Sequence, residues 1–156
     1  MSRKKVNQQL LTDIALRRVD SRALSIYRAR HQQHRDVVGR RSVRVRDFAT
    51  VNDRDNLAQA ISIRLLTQKG ELAGLGHPEF GSRLPELIGE KRTDTTRNLA
   101  KLYVIESLKQ ERRIEKIVEV SVSDQPGHPS QINLMVRVKP VNDSEVLDLG
   151  PFTLAL

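Results

Sequence analysis

Apolar residues change their spacing several times along this chain, and each change predicts a different element. From Val6 to about Arg30, Leu10, Leu11, Ile14, Ala15, Val19, Ala23, Ile26 and Tyr27 recur every three to four residues, with Arg17, Arg18, Arg22 and Arg28 between them. That period predicts a long basic amphipathic helix. His31 to Arg41 is polar and arginine-rich without an apolar period, and reads as a linker. Ser42 to Val51 alternates loosely, Val43 and Val45 against Arg44 and Arg46, and predicts a short strand. Leu57, Ala60, Ile61, Leu65 and Leu66 then return to helical spacing. Asn52, Asp53 and Asp55 supply acceptors for the first turn of that helix, and Gly70 stops it.

Between Gly70 and Gly81, five turn formers interleave with Leu72, Leu75 and Phe80, which predicts a structured loop whose apolar residues dock. Ser82 is placed to cap a short turn through Ile88, with Pro85 where a missing N–H costs little. Thr93 to Thr96 offer caps for a second helix running to about Gln110, whose apolar positions, Leu99 through Leu108, cover an arc wide enough to be largely buried. Beyond it the period becomes two. Ile114, Val118, Val120 and Val122 alternate with polar residues, as do Ile132, Leu134, Val136 and Val138 across a turn-rich gap, which predicts an antiparallel hairpin. Val146 to Leu156 predicts a third strand, an edge or bent one because Pro151 cannot donate to a ladder. An apolar edge there, carrying Leu147, Leu149, Phe152 and Leu154, invites strand addition from another molecule.

Composition narrows the picture. At 156 residues, 38% hydrophobic and 29% charged, the chain is sized for one compact domain plus an arm. It has no apolar run of membrane-spanning length and no secretory signal, so a soluble protein made in the cytoplasm is expected. Without cysteine it can form neither disulfide nor thiolate metal site. His31 and His34 lie three apart with no third ligand nearby, so no metal or other cofactor is expected. Through Arg46 the chain carries thirteen Arg and Lys against three Asp, a net +10, so the remainder sums to −2. An arm of that charge suits nucleic acid, an acidic membrane surface or an acidic groove on a protein. The scarcity of aromatics offers no platform for stacking bases and weighs against nucleic acid.

The chain has no P-loop, dinucleotide fingerprint or metalloprotease pattern. Glu79 with Glu86, or Glu106 with Glu111, could in principle serve glycoside hydrolysis, but ordinary surface carboxylates explain these residues and no aromatic sugar platform accompanies them. Glu111 and Arg113 flank Arg112 between the second helix and the first strand of the hairpin. A carboxylate and a guanidinium at such a corner can bond a partner directionally or close the corner as an internal salt bridge, and the two roles are compatible.

The run Asp55 to Ala60, followed by Arg64-Leu65-Leu66-Thr67, Gly70-Glu71, His77-Pro78 and Phe80-Gly81-Ser82-Arg83-Leu84, resembles the sheath-initiator family of contractile-tail baseplates. That family includes phage baseplate protein W and its relatives, and the corresponding subunits of type VI secretion systems and extracellular injection particles. The resemblance extends from about Val43 to the C-terminus and leaves the arm outside. It implies a non-enzymatic subunit that joins wedge proteins to the first sheath ring, templates sheath polymerisation by strand addition, and stands as six copies per ring. Tube or hub proteins are further partners, with no membrane and no nucleic acid. Members have been labelled lysozyme-like, which keeps peptidoglycan hydrolysis in view. The family's Glu-Pro-Arg signature maps onto Glu111 and Arg113 as wedge contacts, with Arg112 in the proline's place. Leu147, Leu149, Phe152 and Leu154 map onto the sheath-binding strand.

The expected architecture is therefore α+β: two main helices on a small antiparallel sheet (residues 42–156), preceded by a basic helical arm and linker (1–41) whose contacts are made by Arg17, Arg18, Arg22 and Arg28. The particle is assembled in the cytoplasm, and a nucleic-acid-binding protein using the arm is the alternative.

Overall fold

The computed structural model describes residues 12–20, 25–38 and 41–156. The chain divides into two compact units between Gln59 and Ala60, within the first helix.

The first unit is built from short antiparallel ribbons. β1 (Thr12–Ile14) pairs with β6 (Thr50–Asn52), β2 (Leu16–Asp20) with β3 (Ser25–Ala29), and β4 (His31–Val38) with β5 (Arg41–Phe48). The three ribbons meet at a cyclic set of backbone bonds: Ala15 N–H donates to Ala49 O (2.7 Å), Ala49 N–H to Arg30 O (2.8 Å) and Arg30 N–H to Ala15 O (2.8 Å). Each junction residue thus satisfies polar groups that a ribbon's end would leave open. Gln59 braces the junction, its Oε1 accepting from Leu16 N–H at 2.7 Å and its Nε2 donating to Ile14 O at 3.0 Å, on either side of buried Ala15.

Over residues 12–20, 25–38 and 41 this corrects the expected helical arm and linker; the rest of that arm lies outside the described residues. Val19, Ile26 and Tyr27 favour strands, and the register sets Val19 opposite Ile26 and Arg18 opposite Tyr27, so pairing in a hairpin overrides the helical period. The polar stretch taken for a linker forms β4, paired along its whole length to β5. His31 and His34 consequently lie on a strand rather than in a linker.

α1 (Asp53–Leu66) has Asp53 and Asp55 in its first turn and Arg64 in its last, both favourable to the helix dipole. Leu57, Ile61 and Leu65 are fully buried along one face, as their spacing predicts. The loop that follows is closed on itself. Ser82 N–H donates to Thr67 O (2.8 Å), Lys69 N–H to Ser82 O (2.9 Å), and Ser107 Oγ–H to Gly81 O (2.9 Å). Gly81, at φ +109°, has no room for a side chain, because a Cβ would stand 2.7 Å from Gln68 O. Leu75 does not dock as expected: it is 76% exposed on a 3-10 turn (Ala73–Leu75). The next 3-10 turn (Leu84–Leu87) has Arg83, not the expected Ser82, at its N-cap and without a side-chain cap bond; Ser82 Oγ accepts from Leu84 N–H at 3.1 Å from one residue further back.

α2 (Asp94–Leu108) is capped by Thr93, whose Oγ1 accepts from Thr96 N–H at 3.1 Å. Its buried face is Ala100, Tyr103, Val104, Ser107 and Leu108, while Leu102 is 55% exposed, so the helix is amphipathic rather than largely enclosed. The sheet is a meander, β7 (Ile114–Asp124), β8 (Gln131–Pro140) and β9 (Leu147–Ala155), with β8 central. Ile132, Leu134, Val136 and Val138 of β8 are buried in strict alternation. β9 is an edge, and its register slips between Leu134 and Val136 where Gly150 and Pro151 stand, as the proline requires. The α+β class holds: two helices with small antiparallel sheets.

Candidate docking corner

α2 ends at Leu108 and β7 begins at Ile114, so the chain must turn within five residues. Glu111 N–H donates to Leu108 O (3.0 Å) and Ile114 N–H to Glu111 O (3.1 Å), while Val141 N–H holds Arg113 O at 2.9 Å. This fixes the backbone on which both predicted residues stand. Arg113 grips Glu111 in a fork, Nε to Oε1 at 2.8 Å and Nη2 to Oε2 at 3.0 Å, and its own backbone N–H adds a bond to Oε1 at 3.3 Å. The internal salt bridge that closes the corner is therefore present. Its partners are only 10% and 18% exposed at the side chain, and Arg112 between them is exposed.

A third residue, to which the sequence reading gave no role, completes the group. Arg64, in the last turn of α1, brings Nη2 to 3.9 Å from Glu111 Oε2 and donates from Nη1 to Gln110 Oε1 at 3.4 Å. Its guanidinium lies over the Phe80 ring, 4.6 Å from the centroid. Burial pushes the Glu111 carboxyl up, but the hydrogen bonds and charge of Arg113, with Arg64 behind it, outweigh burial and hold it below the usual carboxylate range. Burial also lowers Arg64, opposed by Glu111 and reinforced by Arg113.

The other predicted positions are dispersed. On β9, Leu149 is buried, whereas Leu147, Phe152 and Leu154 are half-buried. Arg17 and Arg18 stand on β2 and Arg28 on β3, with Arg17 in register opposite Arg28; Arg22 lies outside the described residues. The carboxylates sort differently from the expected pairs. Glu86 is taken in a fork by Arg83 (Nε to Oε1 at 3.1 Å, Nη2 to Oε2 at 2.9 Å), and Glu111 by Arg113. Glu79 and Glu106 instead share Lys69, each 3.2 Å from its Nζ, and these bonds, to Glu79 first and Glu106 next, raise the lysine. Among the described residues there is no cluster of metal-ligating side chains, and no helix is long and apolar enough to cross a membrane.

No protein-family profile and no curated protein matches the chain. Among solved structures it is similar to a protein from Geobacter sulfurreducens provisionally named a tail lysozyme, with a TM-score of 0.55 and 22% identity over 65% of this chain and 88% of that one. At that identity the likeness is one of fold. It corrects the expectation of a non-enzymatic protein, since a chain of similar fold bears an enzyme's name.

Proposed function

We propose that this chain is a component of a contractile tail or injection particle, and within it a baseplate subunit that links wedge proteins to the first sheath ring. The observation that carries this reading is the rigid, largely buried Glu111–Arg113 fork at the α2–β7 corner, reinforced by Arg64. A charge pair pre-set by its own backbone loses little freedom on binding, which favours directional contact with a partner. The likeness of fold to a tail-named protein supports the setting. On this reading the subunit is assembled in the cytoplasm as six copies per ring, the β9 edge around Leu147, Phe152 and Leu154 meets sheath, and the basic first unit docks on an acidic neighbour. Affinity purification of tagged chain from cells making the particle, followed by cross-linking mass spectrometry, tests it. Cross-links from residues flanking Glu111 to wedge proteins are expected, and their absence from intact particles would refute the attachment.

The neighbour's name favours a second reading, hydrolysis of peptidoglycan glycan strands. Glu79 and Glu106 are the carboxylates to examine, because both contact one ammonium and so stand within reach of a single glycosidic bond. In such chemistry one carboxyl serves as nucleophile or base and the other carries the proton to the leaving oxygen. Release of soluble muropeptides by the purified chain, reduced at least about tenfold in Glu79→Gln or Glu106→Gln, is the result this reading requires. Release unchanged in both variants would remove them from the chemistry.

A further inference from the structure

The corner holds two guanidiniums and one carboxylate, with side chains 12%, 18% and 10% exposed for Arg64, Arg113 and Glu111. The two arginines are not equivalent. Arg113 spends its fork on Glu111 at normal hydrogen-bond distances. Arg64 has five N–H donors, yet its contacts are a long ion pair at 3.9 Å, a marginal 3.4 Å bond to Gln110, and the face of a ring. Its Nε is buried with no acceptor. The group therefore carries one surplus positive charge, poorly satisfied and held in a fixed plane by the Phe80 stack, with the exposed Arg112 adding more of the same sign. Phe80 is itself tethered by the closed loop, its N–H donating to His77 O at 3.2 Å and its carbonyl accepting from Gly70 N–H at 3.4 Å.

We infer that Arg64 anchors a carboxylate side chain of the docking partner, with Phe80 as the positioning residue that presents the guanidinium. This rests on the reading of the corner as a docking site. A single surplus charge matches a monoanion. Glu111, 3.9 Å from the same guanidinium, opposes the dianion of a phosphomonoester, and the planar pair of oxygens of a carboxylate fits a guanidinium fork, so the recognised chemistry is an Asp or Glu on a protein surface rather than a phosphorylated ligand. Burial around the pair makes such a bond stronger than one at an open surface.

Two measurements test this on the full-length chain. In the first, protein labelled at arginine nitrogens is titrated with sodium acetate against sodium chloride at matched ionic strength. A saturable shift of the Arg64 Nε–H resonance with acetate, absent with chloride and weaker with phosphate, is expected, and no response to acetate overturns the inference. In the second, wedge proteins of the same particle are titrated against variants. Arg64→Gln should weaken binding at least about tenfold and Phe80→Leu by less, while Arg64→Lys, which keeps charge but loses the planar fork, should fall between wild type and Arg64→Gln. Melting temperatures measured in parallel identify any loss that comes from unfolding. If Glu111→Gln or Arg113→Gln abolishes binding while Arg64→Gln binds as wild type, the inference fails and the docking site stands. If wild type itself does not bind wedge proteins, the docking reading fails, and the inference about its partner fails with it.

Discussion

At the scale of single residues, the corner explains why one change there acts on stability as well as on binding. Replacing Glu111 leaves Arg64 and Arg113 without their shared acid, in a group whose three side chains are each less than one-fifth exposed. Glu111→Gln is therefore expected to cost about 3 kcal/mol in chemical denaturation near neutral pH, well above what an exposed pair would lose. The pH dependence has a definite sign. The folded carboxyl lies below its unfolded value of about 4.3, so its contribution is fully present above that value and disappears as pH falls through the folded pKa. The stability gap between wild type and Glu111→Gln should thus be widest above about pH 5 and shrink steadily below about pH 4; a gap independent of pH would mean that the ion pair is not its source. Gly81 makes a second residue-scale case. With φ at +109° and carbonyls of Thr67 and Gln68 within 2.8 Å of any added Cβ, Gly81→Ala must strain the backbone and push the closed loop apart. A loss of roughly 2–3 kcal/mol is expected, measured by urea denaturation, against a small effect for Gly74→Ala, which has open space.

At the scale of elements, what the sequence disclosed depended on how far apart the deciding residues lie. α1, α2, their start signals and the three-strand meander could all be read locally, because period and caps are neighbours in the chain: Thr93 with Thr96, the alternation along β8. The ribbons of the first unit could not. β1 finds β6 only across a long stretch of chain, Thr12 opposite Asn52, and although β2–β3 and β4–β5 are hairpins of short reach, Leu10 to Tyr27 also fits a helical period by spacing alone. The corner divides the same way: Glu111 and Arg113 stand out as a local pair, while Arg64 joins them from 46 residues before Gln110. The β9 edge also changes how its role can be tested. Phe152 pairs with Leu134 and Leu154 with Ile132, both fully buried on β8, so truncation after Gly150 strips cover from the core as well as removing an edge. That truncation should lower stability by roughly 3 kcal/mol or more. Substitution at exposed Thr153 by Lys, which blunts an edge without uncovering β8, should leave the melting temperature nearly unchanged and is the cleaner probe of strand addition.

At the scale of the whole molecule, charge and architecture divide at nearly the same place. Residues 1–52 carry +9 of the total +8, so a chain starting at Asp53 has a net charge of −1. The same cut removes all six ribbon strands together and keeps Asp53 and Asp55 in the first turn of α1. A cut at Arg41 would instead leave β5 without β4 and β6 without β1, exposing unpaired strand edges. The Asp53–Leu156 fragment is therefore expected to unfold cooperatively, with the far-ultraviolet signature of two helices and a sheet. Full-length chain should bind a heparin column and elute only at high salt, since thirteen cations lie within its first 46 residues, whereas the fragment should pass through. Duplex DNA and an acidic protein then separate the two destinations of that charge. Binding of duplex DNA whose affinity falls steeply and linearly in log salt, and which the fragment lacks, would assign the ribbons to nucleic acid. Loss of particle incorporation by the fragment, with no DNA binding by the full chain at physiological salt, would assign them to an acidic protein surface.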